Sequence, residues 1–274
     1  MKNSKILVPT DFTAVAECAL QHAGKLAQHF DSEVILLHVV AKEKEVEEAK
    51  AKLDDVIKKT KTETNINLSG MVRVGNIFDD IGDVASKEKA KIIIMGTHGA
   101  KGMQKLTGSY ALKVITNSKV PFIVVQHKPI KNGYTNIVLP LNLSKDTKQK
   151  ISLATEMAQY FGSKIHIITP KETDEFLSRQ LKANMAYAIK HLKEQKVEFT
   201  THISDGKISN FAEDVLKYAT ANDADLISMV NFEGGGALFG TSYEQKILAN
   251  DSQIPVMCIN PVATRLLTGN VFTA

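Results

Sequence analysis

A glycine-rich segment follows an apolar run of residues 92–95. It contains Gly96, Gly99 and Gly108, and Ser109 then leads into a run with helical character. Glycines let backbone N–H groups approach a ligand closely, and the start of a helix adds free N–H donors and a positive dipole. The segment is therefore chemically suited to hold phosphate oxygens, although a plain structural turn has the same composition.

Several other chemistries are disfavoured by the motifs. The glycine-rich segment lacks the Gly-Lys-Ser/Thr ending of a Walker loop and the Gly-x-Gly-x-x-Gly of a dinucleotide-binding turn. The two cysteines, Cys18 and Cys258, have no Cys-x-x-Cys or Cys/His spacing, which argues against a disulfide framework or a zinc site. No pair of acidic residues is placed by the sequence to hold Mg²⁺, so a dedicated phosphotransfer enzyme is not predicted.

The elements that must position this segment occur twice in the chain, with an offset of 131 residues at the first strand. Five segments recur in one order: 5–9 as 136–140, 34–40 as 164–169, 74–77 as 204–208, 92–95 as 226–229, and 120–125 as 254–259. Most are short apolar runs, typical of strands buried on both faces of a parallel sheet, and helix-period segments lie between them.

This alternation predicts an α/β fold of two doubly wound, Rossmann-like parallel-sheet domains in tandem. We expect the domains at residues 1–128 and 134–262, joined by a short polar linker around residues 128–135. The last strand of each half, 122–125 and 256–259, has the apolar character of an edge that pairs across the interface between the halves.

Composition excludes some partners. The formal charge is +4, and the 34 basic residues are scattered among 30 acidic ones, so nucleic acid is not an expected partner. No apolar run approaches the roughly 18 residues that span a bilayer, and the sequence shows no export signal. We therefore expect a cytoplasmic protein without a membrane partner.

The sequence closely resembles the universal stress protein family over residues 3–261. In the first half, residues 6–12, His38-Val39 and residues 95–99 stand in the order that the family shows. Members that bind ATP carry Gly-x-x-Gly, nine residues, and then Gly-Ser or Gly-Thr. Here only eight residues separate Gly99 from Gly108, so the loop is one residue short.

The resemblance implies an adenine nucleotide as ligand: ATP, AMP or ADP, with or without Mg²⁺. It places Pro9, Thr10 and Asp11 at the adenosine end, Val39 and Met95 against the base, His98 near the ribose, and Gly96, Gly99, Gly108 and Ser109 at the phosphates. Simpler roles remain open at several positions. Asp11 and Ser109 are also suited to cap a helix, and Val39 and Met95 are core residues in any such sheet.

The second half departs from this pattern. Asn142 replaces Asp11, Val230 and Glu233 replace Gly96 and Gly99, and only six residues separate Glu233 from Gly240. We therefore expect a degenerate second half with a structural or regulatory role, and a different small ligand in its cleft stays open.

The resemblance thus implies a nucleotide-binding protein of stress response or signalling. The alternatives are an interaction module that binds no nucleotide, or a slow ATPase or phosphotransferase. The paired halves would reproduce the family's dimer within one chain, and two chains could associate further into a homodimer.

Overall fold

The computed structural model of the protein describes residues 4–97, 108–131, 133–143, 147–206, 208–230 and 242–259. Strands and helices alternate through the first half. Its elements are β1 (Lys5–Pro9), α1 (Ala14–Phe30), β2 (Glu33–Val40), α2 (Val46–Glu63), β3 (Asn67–Val74), α3 (Ile77–Lys87), β4 (Ala90–Gly96), α4 (Gly108–Thr116) and β5 (Phe122–Val125).

The second half has the same order of elements. They are β6 (Asn136–Pro140), α5 (Thr147–Phe161), β7 (Lys164–Thr169), α6 (Glu175–Glu194), β8 (Phe199–Ile203), α7 (Phe211–Ala221), β9 (Leu226–Val230), α8 (Ser242–Leu248) and β10 (Val256–Ile259). Short 3₁₀ turns precede α2 and α7. The tail after Pro261 lies outside the described residues.

All ten strands form one sheet, in the order β3-β2-β1-β4-β5-β10-β9-β6-β7-β8. Within each half the strands are parallel, and each half has the same order when it is read inward from its outer edge. The halves meet where β5 and β10 pair antiparallel, with Ile123 opposite Met257. The predicted α/β class and the predicted pairing of the two last strands are confirmed.

Helices cover both faces of the sheet. Neighbouring residues along a strand point to opposite faces, so each central strand contributes side chains to two separate buried clusters. In β1, Ile6 and Val8 belong to one buried cluster and Leu7 belongs to the other. The first cluster packs under α1 and α5, and the second packs under α3, α4 and α7. Strands buried on both faces carry continuous apolar runs, which is why the repeat was visible in the sequence.

The connection between the halves is a packed segment. The carbonyl of Lys128 accepts a hydrogen bond from Nε2 of His22, and Nδ1 of His22 accepts one from the hydroxyl of Tyr134, both at 3.0 Å. This assignment follows because a carbonyl only accepts. Burial lowers the pKa of His22, so the ring stays neutral at physiological pH. The polar linker predicted from the sequence is therefore fixed against α1.

Candidate functional site

The candidate site lies where the strand order of the first half reverses, between β1 and β4. The ladder between these strands ends at Leu7 and Ile93, whereas β1 continues to Pro9 and β4 continues to Gly96. The strands therefore separate toward their carboxyl ends and leave a crevice. Open α/β sheets bind ligands at this point.

The loop after β1 is held in place by β2. The amide of Thr10 donates to the carbonyl of Leu37 at 2.8 Å, and Nδ1 of His38 donates to the carbonyl of Thr10 at 2.7 Å. The His38 proton must sit on Nδ1, because the carbonyl only accepts. These two bonds hold both the N–H and the C=O group of Thr10 against β2.

Phe12 continues this loop in an unusual conformation. Its φ angle of 63° lies in the left-handed region, which bulky residues rarely enter. Two contacts hold it there: its amide donates to Oγ1 of Thr10 at 3.1 Å, and its ring lies 4.5 Å from the ring of His38. Backbone strain of this kind persists only where the surroundings impose it, and it concentrates at functional sites.

Asp11 projects from this loop into solvent. Its Oδ1 accepts hydrogen bonds from the amide of Thr13 at 3.1 Å and from the Thr13 hydroxyl at 2.5 Å. Thr13 is the N-cap residue of α1, and its own side chain makes no capping hydrogen bond. Asp11 therefore positions the cap residue, and among the described residues its Oδ2 has no recorded partner.

Gly96 ends β4 directly against the first turn of α1. A Cβ atom at this position would lie 2.4 Å from the carbonyl oxygen of Val15 and 2.9 Å from the nitrogen of Ala16. Only glycine allows strand and helix to approach this closely. The next residue, Thr97, is fully buried, and its amide donates to the carbonyl of Val125 at 2.8 Å. The glycine-rich segment thus leaves the sheet from an anchored position.

The remaining predicted residues are in different situations. Val39 is half-buried beside the core, and Met95 lies within the core with 1% of its surface exposed. Gly108 and Ser109 form the start of α4, so Ser109 lies inside the first helical turn. His98 and Gly99 lie outside the described residues.

The structure thus gathers Pro9, Thr10, Asp11 and Gly96 around the crevice. The sequence indicated no site role for His38 or Phe12, and it indicated Thr13 only as a candidate cap of the first helix. His38 and Phe12 were visible only as members of a family motif, and the bond from Thr13 to Asp11 depends on loop geometry that spacing does not encode.

The second half has a corresponding crevice, since the ladder between β6 and β9 ends at Val138 and Ile227. Asn142 stands in its loop after β6 where the first half has Asp11, and the described part of this loop is tied to α6. Asn184 donates to the carbonyl of Asn142 at 2.9 Å, and Gln180 donates to the carbonyl of Leu143 at 3.1 Å. Val230 occupies the end of β9, and Glu233 lies outside the described residues.

The described residues contain no group of three or more histidine, cysteine or acidic side chains arranged to hold a metal ion. None of their helices is both long enough and apolar enough to cross a membrane.

Comparisons with known proteins give consistent results. Residues 2–126 match the model of the universal stress protein family. A universal stress protein of Methanocaldococcus jannaschii is 33% identical over 155 residues, an alignment that covers 45% of this chain and 95% of that protein. A second one from this organism is 34% identical over 144 residues, covering 46% of this chain and 84% of that protein.

The fold comparison extends over both halves. The crystal structure of a universal stress protein from Archaeoglobus fulgidus matches with a TM-score of 0.76 at 20% identity. The match covers 94% of this chain and 98% of the Archaeoglobus chain. The tandem arrangement of two α/β halves therefore has a solved counterpart.

Proposed function

Because the chain belongs to the universal stress protein family, we propose that its first half binds ATP, ADP or AMP in the crevice between β1 and β4. Binding then biases the conformation or the partner choice of a stress-response or signalling protein. The observation that carries the proposal is the crevice itself, where the ladder ends at Leu7 and Ile93 although both strands continue. Nucleotides bind to doubly wound sheets at such a reversal of strand order.

The loop of residues 9–13 supports an adenosine end beside β1. His38 and Leu37 hold the backbone of Thr10 from β2, so the loop is formed in advance. Thr13 occupies one oxygen of Asp11, which leaves Oδ2 to accept hydrogen bonds from ribose hydroxyls or from the adenine amino group. A group that is already ordered loses less conformational freedom on binding.

The start of α4 supports a phosphate end. Gly108 and Ser109 lie in its first turn, where helix amides lack partners within the helix and carry positive partial charge. Gly99 and His98 complete this proposal from the sequence alone. The loop before Gly108 is one residue shorter than in the ATP-binding pattern, so the preference among ATP, ADP and AMP is left to experiment.

If Mg²⁺ accompanies the nucleotide, phosphate oxygens and water must supply most of its ligands. The described residues contain no cluster of acidic side chains that would hold the ion alone. Mg²⁺ commonly binds in this way, through substrate phosphates and retained water.

The proposal is tested by identifying nucleotide in the purified protein and then measuring its affinity. Mass spectrometry of denatured protein reports any retained nucleotide, and calorimetry with ATP, ADP and AMP on nucleotide-free protein gives dissociation constants. GTP is the matched control, since it has the same phosphates and a different base. Absence of saturable binding by all three adenine nucleotides would reject the proposal in favour of an interaction module.

A further inference from the structure

A lysine is buried in the second half at a position where the first half has alanine. Lys150 lies in the first turn of α5 with 3% of its surface exposed. The repeat offset of 131 residues places it opposite Ala19 of α1, which is fully buried. Its amine donates a hydrogen bond to the carbonyl of Pro140, the last residue of β6. This contact brings the amine to the carboxyl end of the strand.

The direction of the Pro140 carbonyl shows where the amine lies. The amide of Leu141 donates to the carbonyl of Ile168, on the β7 side of β6. In a trans peptide the C=O and N–H groups point to opposite sides, so the Pro140 carbonyl faces β9. The ladder to β9 has already ended at Val138, and the Lys150 amine therefore lies toward the crevice of the second half.

The charge of Lys150 is not balanced by any described residue. Among the residues that the structure describes, no carboxylate forms an ion pair with Lys150, and burial alone lowers the pKa of its ammonium to about 7. A buried ammonium has three N–H donors, of which the Pro140 carbonyl uses one. Buried charges are normally paired. Asp146 precedes Lys150 by four positions but lies outside the described residues, and within the described part of the chain the amine keeps two unused donors and no counter-charge.

The surrounding groups favour an anion over a cation. The carbonyls of Pro140, Asn142 and Leu143 already accept hydrogen bonds from side chains. The start of α5, which contains Lys150, adds positive partial charge at the same end of the sheet. The first half presents the carboxylate of Asp11 beside the corresponding strand, so the charge at this place differs in sign between the halves.

We propose that the crevice between β6 and β9 binds a small oxyanion, a phosphate or a carboxylate group, with the Lys150 amine as its counter-charge. The ligand differs from the nucleotide proposed for the first half, because the Lys150 amine is a cationic donor whereas the first half offers the Asp11 carboxylate. This site does not depend on nucleotide binding by the first half.

Nuclear magnetic resonance of protein with ¹³C-labelled lysine side chains tests this directly. Lys150→Met assigns the Lys150 signal by its loss, and Lys150→Gln serves if the methionine variant does not fold. The signal is titrated with pH in chloride, inorganic phosphate and acetate at equal ionic strength. Binding stabilises the charged amine, so the effective anion should raise the midpoint by at least about one pH unit.

Three comparisons make the outcome decisive. A response to phosphate alone identifies a phosphate site, and a response to acetate identifies a carboxylate site. The shift must persist in Asp11→Asn, which alters only the first half, and the signal of the exposed Lys190 must not move. A Lys150 midpoint that is the same in chloride, phosphate and acetate would overturn the proposal, whatever the first half binds.

Discussion

Phe30 meets Tyr160 edge to face, with ring centroids 4.3 Å apart and ring planes at 88°. The neighbouring pair repeats the contact in reverse, since His29 stacks on Phe161 at 4.7 Å. Tyr160 and Phe161 follow His29 and Phe30 by the same 131 residues that relate the first strands. Reciprocal contact of this kind defines a two-fold interface between identical subunits. Here it joins the two halves of one chain.

We expect Asp11→Asn to weaken adenine nucleotide binding by about 10–100-fold, the loss typical of a hydrogen bond to a charged group. An asparagine oxygen can still accept from Thr13, so the loop should keep its shape while the negative charge is lost. Calorimetry measures the change. Asp31→Asn is the matched control, because Asp31 is exposed at the far end of α1 and asparagine tolerates its φ of 49°. Equal affinity in the two variants would contradict the placement of the adenosine end.

Gly108→Val should abolish nucleotide binding without unfolding the protein. Gly108 already lies in α4, and valine has a higher helix propensity than glycine, so the helix should persist. A branched side chain at this point would block the approach of phosphate to the first amides of the helix. Circular dichroism checks the fold, and calorimetry checks the affinity. A folded variant that binds as well as the wild type would show that the phosphates lie elsewhere.

Gly96→Ala should lower the free energy of unfolding by about 1–3 kcal/mol, because the new methyl group would collide with the backbone of Val15. Gly24→Ala provides the control within α1. Its Cβ would meet Ile66 at an ordinary distance of 3.6 Å, and alanine should stabilise the helix by about 0.5–1 kcal/mol. Urea unfolding measures both changes. Equal stability of the two variants would refute the close approach of β4 and α1.

Lys150→Met should stabilise the protein near neutral pH. The unfolded chain holds this proton up to its ordinary pKa of 10.5, whereas the folded chain releases it near 7. Between these values the unfolded state binds more protons, so the wild-type free energy of unfolding rises with pH. The gap corresponds to about 5 kcal/mol at most. The stabilisation by methionine should therefore be largest below pH 7 and shrink toward pH 10. Urea unfolding across this range tests it, and a constant difference would contradict a depressed pKa.

One adenine nucleotide should bind per chain, in residues 1–128. The loop of the second half lacks the Asp11 carboxylate, and two of its carbonyls are bound by α6 side chains. Calorimetry on the intact chain should give a stoichiometry near one. Photo-crosslinking with an azido-adenine nucleotide, followed by peptide mapping, should label the first half. Two equal sites would show that both halves bind nucleotide. Label confined to the second half would show that the site lies there and not in the first half.

The strands of the sheet could be predicted from the sequence because strands buried on both faces have uninterrupted apolar runs. The outermost strands gave weaker signals. β8 has the sequence Phe-Thr-Thr-His-Ile and is largely exposed, so the repeat was visible only at the turn that follows it. The repeat predicted that β5 and β10 pair across the interface, since each is an apolar last strand in its half, and the structure shows that they pair antiparallel.

The contacts that shape the two crevices could not be predicted in this way. A lysine in the first turn of a helix normally reaches solvent. The residues beside Lys150 in the sequence do not predict that it is buried. The conformation of Phe12 likewise depends on His38, which lies 26 positions later in the chain. Spacing indicates which element a residue belongs to. It does not indicate which neighbour from a distant element will meet it.

The antiparallel contact of β5 with β10 also fixes where the protein can be approached. Each crevice opens at the carboxyl ends of its own parallel strands, and these strands run in opposite directions in the two halves. The two crevices therefore open at opposite ends of the sheet. A partner protein that contacts one crevice cannot contact the other with the same surface. The chain therefore presents its two crevices at two separate ends, and the sheet and the helix contacts between the halves connect them.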